Sequence, residues 1–153
     1  STLFPYTTLF RSNCKYSGGN NYNQAVCDFA RGHQVVPVCP EVLGGLPTPR
    51  CPAEIVQGVV TNKEGINVDR EFRAGAAKAL AIAKENGVEL AILQSRSPSC
   101  GVKEIYDGTF SGIKIPGQGV FAKMLMDEGI RVLDAGELPK IILKNEDGKC
   151  QSD

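Results

Sequence analysis

The sequence of 153 residues contains no tryptophan, a single histidine and no excess of charge, because 17 basic side chains balance 17 acidic ones. A chain without net charge has no long-range field to attract nucleic acid or an anionic membrane surface. No apolar run approaches about 18 residues, so no membrane-spanning helix is expected, and no export signal is visible. We therefore expect a cytoplasmic protein with neither nucleic acid nor membrane as a partner. The oligomeric state stays open.

Two familiar kinds of site are missing as well. A histidine-based dyad or triad would depend on His33 alone, and His33 opens a predicted strand, where a structural role is favoured. Neither of the glycine-rich signatures that cradle nucleotide phosphates follows a predicted strand. With 42% hydrophobic and 22% charged residues, the composition is that of an ordinary globular domain.

Six cysteines are present, and two of them follow short apolar runs. The run at residues 88–93 is followed by a polar loop that ends at Cys100, and the run at residues 35–38 ends at Cys39. Two parallel strands would deliver these thiols to the same edge of a sheet, where open α/β sheets bind ligands. In a reducing compartment such thiols suit an Fe–S cluster or zinc, and Cys14 is a third candidate. Two core cysteines are the structural alternative.

The order of predicted elements favours a three-layer α/β domain with a mostly parallel sheet. We expect helices over residues 70–85, capped by Asp69, and over residues 120–128. The proline-rich stretch at residues 40–52 is predicted to be a non-helical loop, and residues 62–65 a hairpin turn.

The two ends of the chain are set apart from this domain. Residues 1–12 correspond to one reading frame of a widely used sequencing adapter, so we interpret them as an artefact and exclude them from the fold. The domain is then predicted to cover residues 13–143, and residues 144–153 to form a polar tail.

Several side chains near the two thiols have the chemistry of an active site. Glu41 could act as a general base on water, and the Ser97 hydroxyl could orient a substrate or relay a proton. Arg50 and Arg96 could hold an anionic or carbonyl-bearing ligand, while the Ser99 hydroxyl lies beside Cys100 in sequence. The structural alternatives are an exposed loop acid, turn-forming serines and surface arginines.

Four segments together resemble a small bacterial family that was long known only as a domain of unknown function and that includes thiouracil desulfidases. They occur in the family's order: residues 14–20, residues 37–50, residues 96–101 (Arg-Ser-Pro-Ser-Cys-Gly) and residues 105–112 (Ile-Tyr-Asp-Gly-Thr-Phe-Ser-Gly). The resemblance extends from Asn13 to about Leu138.

The resemblance implies a Rossmann-like α/β fold and a [4Fe–4S] cluster held by three cysteines, with one iron that has no protein ligand. In the desulfidases this iron takes sulfur from a thiolated pyrimidine such as 2-thiouracil, without net redox change. For this sequence it implies Cys14, Cys39 and Cys100 as cluster ligands, Glu41 as the acid–base residue and Ser97 as its partner. Arg50, Arg96 and Ser99 are the candidate substrate-binding residues.

The sequence departs from the family at its start. The family usually opens with a strand ending in Ser-Ala-Cys-Leu-Leu-Gly, and adapter-like residues occupy that place here. A cluster cysteine is then expected to be missing, and the choice between Cys14 and Cys39 stays open. Two alternatives follow: a non-catalytic Fe–S or zinc module for redox sensing or sulfur transfer, and a chain that is inactive because it lacks its native first strand.

Overall fold

The computed structural model describes residues 2–4, 28–29, 33–94 and 97–137, with side chains for all of these except residues 2–4. The strands in these ranges are β1 Thr2–Phe4, β2 Val35–Pro37, β3 Ala53–Val56, β4 Val59–Asn62, β5 Leu90–Leu93, β6 Glu104–Tyr106, β7 Lys114–Pro116 and β8 Arg131–Asp134. The helices are α1 Pro40–Leu43, α2 Asp69–Glu85 and α3 Val120–Asp127, followed by a 3-10 turn at Ala135–Glu137.

The largest sheet in the described residues has four strands in the order β2-β1-β5-β8. Every neighbouring pair in it is parallel, with Leu3 opposite both Val36 and Ala91, and Ala91 opposite Val132. The carboxyl ends of all four strands therefore lie at one edge. The prediction of a mixed α/β domain is confirmed, whereas the three-layer, Rossmann-like arrangement stays a prediction.

Strand β1 lies between the two strands that lead to the thiols. Residues 1–12 were excluded from the predicted fold, yet Thr2–Phe4 pairs with β2 on one side and β5 on the other. The segment that was excluded from the predicted fold therefore forms the strand that lies between β2 and β5 in the sheet. The predicted domain boundaries remain a prediction, and the polar tail at residues 144–153 lies outside the described residues.

Helix α2 packs on the other two helices and on β4 through a face that is mostly alanine. Phe72, Ala76, Ala79 and Ala83 recur at helical spacing and are buried, whereas the residues between them are mostly exposed. The helix ends at Glu85, and two residues beyond it Gly87 has a positive φ of 61°, which suits a residue without a side chain. The core opposite this face is formed by Ile92, Leu93, Phe121 and Leu125, all of which are fully buried.

The predicted cap of α2 is wrong. The helix begins at Asp69, and its N-cap position is Val68, without a side-chain capping bond. The Asp69 carboxylate instead accepts hydrogen bonds from the backbone N–H of Val60, at 2.9 Å, and from Arg73 Nε, at 2.7 Å. Burial acts to raise the pKa of Asp69, but the hydrogen bonds from Arg73 and Val60 outweigh it, and the pKa is lowered. Asp69 therefore ties α2 to β4.

The loops differ from the prediction in two further places. Residues 40–43 are helical because proline fits the first turn of a helix, where its missing N–H is not needed. The hairpin of β3 and β4 turns at Gln57 and Gly58, both with positive φ. The predicted turn at residues 62–65 is also present, held by the Gly65 N–H on the Asn62 carbonyl, and it leads toward α2.

The second hairpin is anchored by a buried acid. Strands β6 and β7 are antiparallel, as the Asp107-Gly108 turn signal indicates. Glu54 on β3 is 9% exposed, and its Oε1 accepts the backbone N–H groups of Gly108, at 2.9 Å, and Phe110, at 3.1 Å.

Within the described ranges, no helix is long and apolar enough to cross a membrane.

The Asp69 contacts predict a pH-dependent contribution to stability. We expect Asp69→Asn to lower the free energy of unfolding at neutral pH by less than about 1 kcal/mol, because the ion pair with Arg73 is partly exposed. Since the folded-state pKa is lowered, this contribution is complete above the unfolded value of 3.8 and is lost as the pH falls below it. Urea midpoints of both proteins should converge at acid pH; a constant difference would contradict the assignment.

Candidate active site at the carboxyl edge of the sheet

The first thiol segment begins where β2 ends. Cys39 follows Pro37 by two residues, is 8% exposed, and occupies the N-cap position of α1. Its carbonyl accepts the Leu43 N–H at 2.9 Å, which starts the helix. Glu41 therefore lies in the first turn of α1, two residues beyond the thiol.

Two glycines bring α1 close to α2. A Cβ on Gly75 would overlap the carbonyl oxygen of Pro40, and a Cβ on Gly44 would overlap the carbonyl oxygen of Glu71. The backbones of the two helices are thus in direct contact, with no side chain between them. This contact fixes the position of α1, and with it the positions of Cys39 and Glu41.

The second thiol segment, residues 97–101, is a tight turn beyond β5. The Gly101 N–H donates to the Ser97 carbonyl at 2.9 Å, while Ser97 Oγ accepts the N–H groups of Ser99, at 3.1 Å, and Cys100, at 3.2 Å. Cys100 is fully buried. The Ser97 hydroxyl therefore closes the turn that holds the thiol.

The amino end of α3 clamps this turn from the other side. The N–H groups of Val120 and Phe121 donate to the carbonyls of Pro98, at 2.8 Å, and Ser99, at 2.7 Å. A Cβ on Gly119 would meet the backbone of Ser99 and Cys100. The first N–H groups of a helix have no partners within the helix, so here the thiol turn satisfies them.

The Glu41 carboxylate joins the two thiol segments. Its Oε1 accepts a hydrogen bond from Arg50 Nε at 3.0 Å. Its Oε2 accepts one from Ser99 Oγ at 2.9 Å and has a longer contact with Ser97 Oγ, at 3.4 Å. The two serine oxygens are 2.7 Å apart. The hydrogen bond from Ser99 to Glu41 therefore connects the two thiol segments. Along the chain, Glu41 lies two residues from Cys39, and Ser99 is next to Cys100.

Arg50 is held in the interior of this arrangement. Its side chain is 8% exposed and that of Glu41 is 14% exposed, so the ion pair is largely removed from water. Arg50 Nη1 also donates to the Pro47 carbonyl, at 3.1 Å, and to Thr48 Oγ1, at 2.8 Å. Removing one member of such a pair leaves the other charge buried without compensation, which typically costs several kcal/mol.

The structure brings most of the predicted site residues together at one edge of the sheet: Cys39, Glu41, Arg50, Ser97, Ser99 and Cys100. Arg50 is not the surface charge that the structural alternative supposed. Cys14 and Arg96 lie outside the described residues, so their placement stays a prediction, as do the roles of all eight residues. His33 is exposed, stacks on Phe29 and donates from Nδ1 to its carbonyl.

Sequence reasoning missed three features that shape the site. It did not pair Ser99 with Glu41, it gave Gly75 no role, and it did not find the buried Glu54. A glycine within the alanine-rich, helix-favouring stretch of α2 is a signal of close packing that could have been used. The contact between residues 41 and 99 left no signal, because it depends on the tertiary fold.

The donor set for a metal group is incomplete in the described residues. No group of three or more His, Cys, Asp or Glu side chains in those ranges is arranged to hold a metal ion. A cluster with three cysteine ligands would need its third thiol from elsewhere in the chain. Two buried thiols at one sheet edge are nevertheless suitable donors for a soft metal.

Comparisons with known proteins agree on one family. The sequence profile of the family described as 2-thiouracil desulfurase matches residues 7–137. An uncharacterised protein of Bacillus subtilis (strain 168), YbbK, is 40% identical over 139 residues, which cover 84% of this chain and 92% of that protein. A solved structure, the [4Fe-4S]-dependent thiouracil desulfidase TudS, superposes with a TM-score of 0.83 at 33% identity, covering 94% of this chain and 96% of that one.

The close contact at Gly75 predicts that an alanine at this position lowers the free energy of unfolding, which is the opposite of the usual effect within a helix. Glycine to alanine within a helix normally stabilises by about 1 kcal/mol, but Gly75→Ala should destabilise by about 1–3 kcal/mol because the new Cβ overlaps the Pro40 carbonyl. Ala77→Gly, at an exposed position of the same helix, is the matched control and should cost about 1 kcal/mol. Urea denaturation measures both. A Gly75→Ala protein as stable as the parent would contradict the packing argument.

Proposed function

Because the chain belongs to the 2-thiouracil desulfurase family, we propose that it removes sulfur from a small thiolated compound such as 2-thiouracil, using a [4Fe–4S] cluster and no net redox change. The enzyme is then a C–S hydrolase or lyase of the thiouracil desulfidase type. The observation that supports this proposal most directly is the buried Glu41 carboxylate, fixed between Arg50 and Ser99 and two residues from Cys39.

The proposed cluster ligands are Cys39, Cys100 and Cys14. Cys39 and Cys100 are buried thiols on turns that follow parallel strands, which is a common setting for cluster ligands. Cys14 follows β1, whose carboxyl end lies at the same sheet edge as those of β2 and β5. When bound, the cluster supplies a Lewis acid with an open position that favours the soft sulfur of the substrate.

The proposed chemistry of the protein concerns one proton and one water molecule. Both Glu41 oxygens accept hydrogen bonds, which is the pattern of an ionised carboxylate. We propose that Glu41 takes a proton from water and that the resulting hydroxide forms a C–O bond at the carbon losing sulfur. Glu41 then returns the proton to the sulfur, which leaves as hydrosulfide as the C–S bond breaks. Ser97 is the proposed partner of Glu41. General-base assistance of this kind contributes about 10²–10⁴-fold.

Arg50, Arg96 and Ser99 are the proposed substrate-binding residues, because guanidinium and hydroxyl groups could hold an anionic or carbonyl-bearing ligand. Arg50 already uses its Nε and Nη1 on Glu41, Pro47 and Thr48. Arg96 is therefore the better candidate for direct contact with a substrate carbonyl. The partner is a small thiolated molecule, and neither nucleic acid nor membrane is proposed.

We also propose that the four-stranded sheet is the centre of a Rossmann-like, three-layer domain, which includes Thr2–Phe4 as its strand β1 in addition to the predicted residues 13–143. The order β2-β1-β5-β8 supports this, since doubly wound sheets place the first strand between the second and a later one. Ligands of such sheets bind beyond the carboxyl ends, where the chain reverses direction across the sheet. That point lies next to β1, between the Cys39 and Cys100 segments.

The test is the Glu41→Gln variant after anaerobic reconstitution with iron and sulfide. Turnover of 2-thiouracil should fall by about 100-fold or more, because the amide cannot take a proton, while the cluster's visible absorbance is unchanged. The exposed turn residue Glu64 gives the control variant Glu64→Gln, which should keep full activity. Sulfide release and absorbance are measured on the same samples.

Three results would contradict the proposed function. Loss of the absorbance in Glu41→Gln would make Glu41 a structural residue. A parent protein that carries the cluster but releases no sulfide would favour the non-catalytic Fe–S module. A parent protein that binds no iron would favour a chain that is inactive because it lacks its native first strand.

A further inference from the structure

We propose that Ser99 is the positioning residue for Glu41, and that it acts on the ionised carboxylate more directly than Ser97 does. This inference rests on the proposed function, in which Glu41 is the base. Ser99 is fully buried, and its Oγ lies 2.9 Å from Glu41 Oε2, against 3.4 Å for Ser97 Oγ. The Ser99 hydroxyl is not needed to form the turn, because the Ser97 hydroxyl already closes it.

The direction of the hydrogen bonds follows from counting protons. Each serine has one hydroxyl proton, and an ionised carboxylate has none to donate. The two short contacts are both satisfied only if Ser97 donates to Ser99 and Ser99 donates to Glu41. In the reverse arrangement, Ser99 Oγ and Glu41 Oε2 would lie 2.9 Å apart with no proton between them, which is repulsive.

The backbone contacts of Ser97 support this direction. Its oxygen already accepts the N–H groups of Ser99 and Cys100, which occupies both of its lone pairs. A hydrogen bond from Ser99 to Ser97 would be a third one on the same oxygen. The two serines therefore have different tasks: Ser97 holds the amides of the thiol turn, and Ser99 holds the carboxylate.

A second chain of two hydroxyls and a carboxylate lies elsewhere in the protein. Thr109 Oγ1 lies 2.6 Å from Asp107 Oδ1 and 2.5 Å from Ser111 Oγ. The hydrogen bond from the Thr109 side chain, together with that from its N–H, lowers the pKa of Asp107. Because Thr109 and Ser111 are exposed and belong to the β6–β7 turn, this chain provides matched controls.

Among the residues that the structure describes, removal of Ser99 Oγ would leave Glu41 Oε2 with only the 3.4 Å contact to Ser97, while Arg50 still held Oε1. The carboxylate would then be free to turn about its bond to Arg50 and would less often face the attacking water. Loss of orientation lowers kcat more than it weakens substrate binding. The cluster thiols would be unaffected, because Ser97 still closes their turn.

The first readout is steady-state kinetics of the reconstituted protein with 2-thiouracil. Ser99→Ala should lower kcat by about 10- to 100-fold with little change in KM and with unchanged iron and sulfide content. Ser99→Thr, which keeps a hydroxyl, should recover most of kcat, and the control Ser111→Ala should match the parent. Ser97→Ala should instead reduce the iron and sulfide content, because it opens the Cys100 turn.

The second readout does not depend on activity. The carboxylate stretching band of Glu41, assigned by its absence in Glu41→Gln, is recorded by infrared difference spectroscopy of the purified protein. Ser99→Ala should shift this band, because a hydrogen bond to one carboxylate oxygen is removed. Ser111→Ala should leave the band unchanged.

An unchanged carboxylate band together with an unchanged kcat in Ser99→Ala would overturn the inference. A rise in KM with constant kcat would also overturn it, since that result would make Ser99 a substrate contact. If the parent protein releases no sulfide at all, the proposed function fails, while the carboxylate band of Glu41 still decides the role of Ser99.

Discussion

The structure depends on one carboxylate that is bonded from both sides. Glu41 receives Arg50 from its own loop and Ser99 from a turn 58 positions further along the chain. Each of these partners is itself fixed, Arg50 by Pro47 and Thr48 and Ser99 by the turn on which it lies. A charged group that is largely removed from water is stable only when all its bonds are made, so the two segments must meet in one geometry.

This constraint is met by the backbone around it. The parallel sheet brings the ends of β2 and β5 to one edge. The Gly44–Gly75 contact sets α1 directly on α2, and the amino end of α3 holds the second turn through the carbonyls of Pro98 and Ser99. Neither contact leaves room for a Cβ. The segments that carry the two thiols are therefore held in place by direct contacts between backbones. Rigid supports of this kind suit a site in which a base and a metal group must act on one substrate.

Much of this arrangement was predictable from local sequence patterns. Apolar runs that end in Cys39 and near Cys100 indicated the two strands and their shared edge, and periodicity located α2 and α3. The cap of α2 was mispredicted because Asp69 is used in a tertiary contact with Val60, which outweighs its local preference. The Arg50–Glu41 and Ser99–Glu41 bonds were beyond local patterns, since an arginine or serine in a loop gives no indication of the partner that folding will bring to it.

The central claim is that the segments carrying Cys39 and Cys100 converge on one metal group. The most direct measurement is the iron and acid-labile sulfide content of Cys39→Ser and Cys100→Ser after anaerobic reconstitution, with Cys51→Ser as the control. The account predicts that each of the first two substitutions alone abolishes binding of the cluster, because both thiols serve the same group, and that the control keeps it. Full iron and sulfide content in either Cys39→Ser or Cys100→Ser would contradict the account.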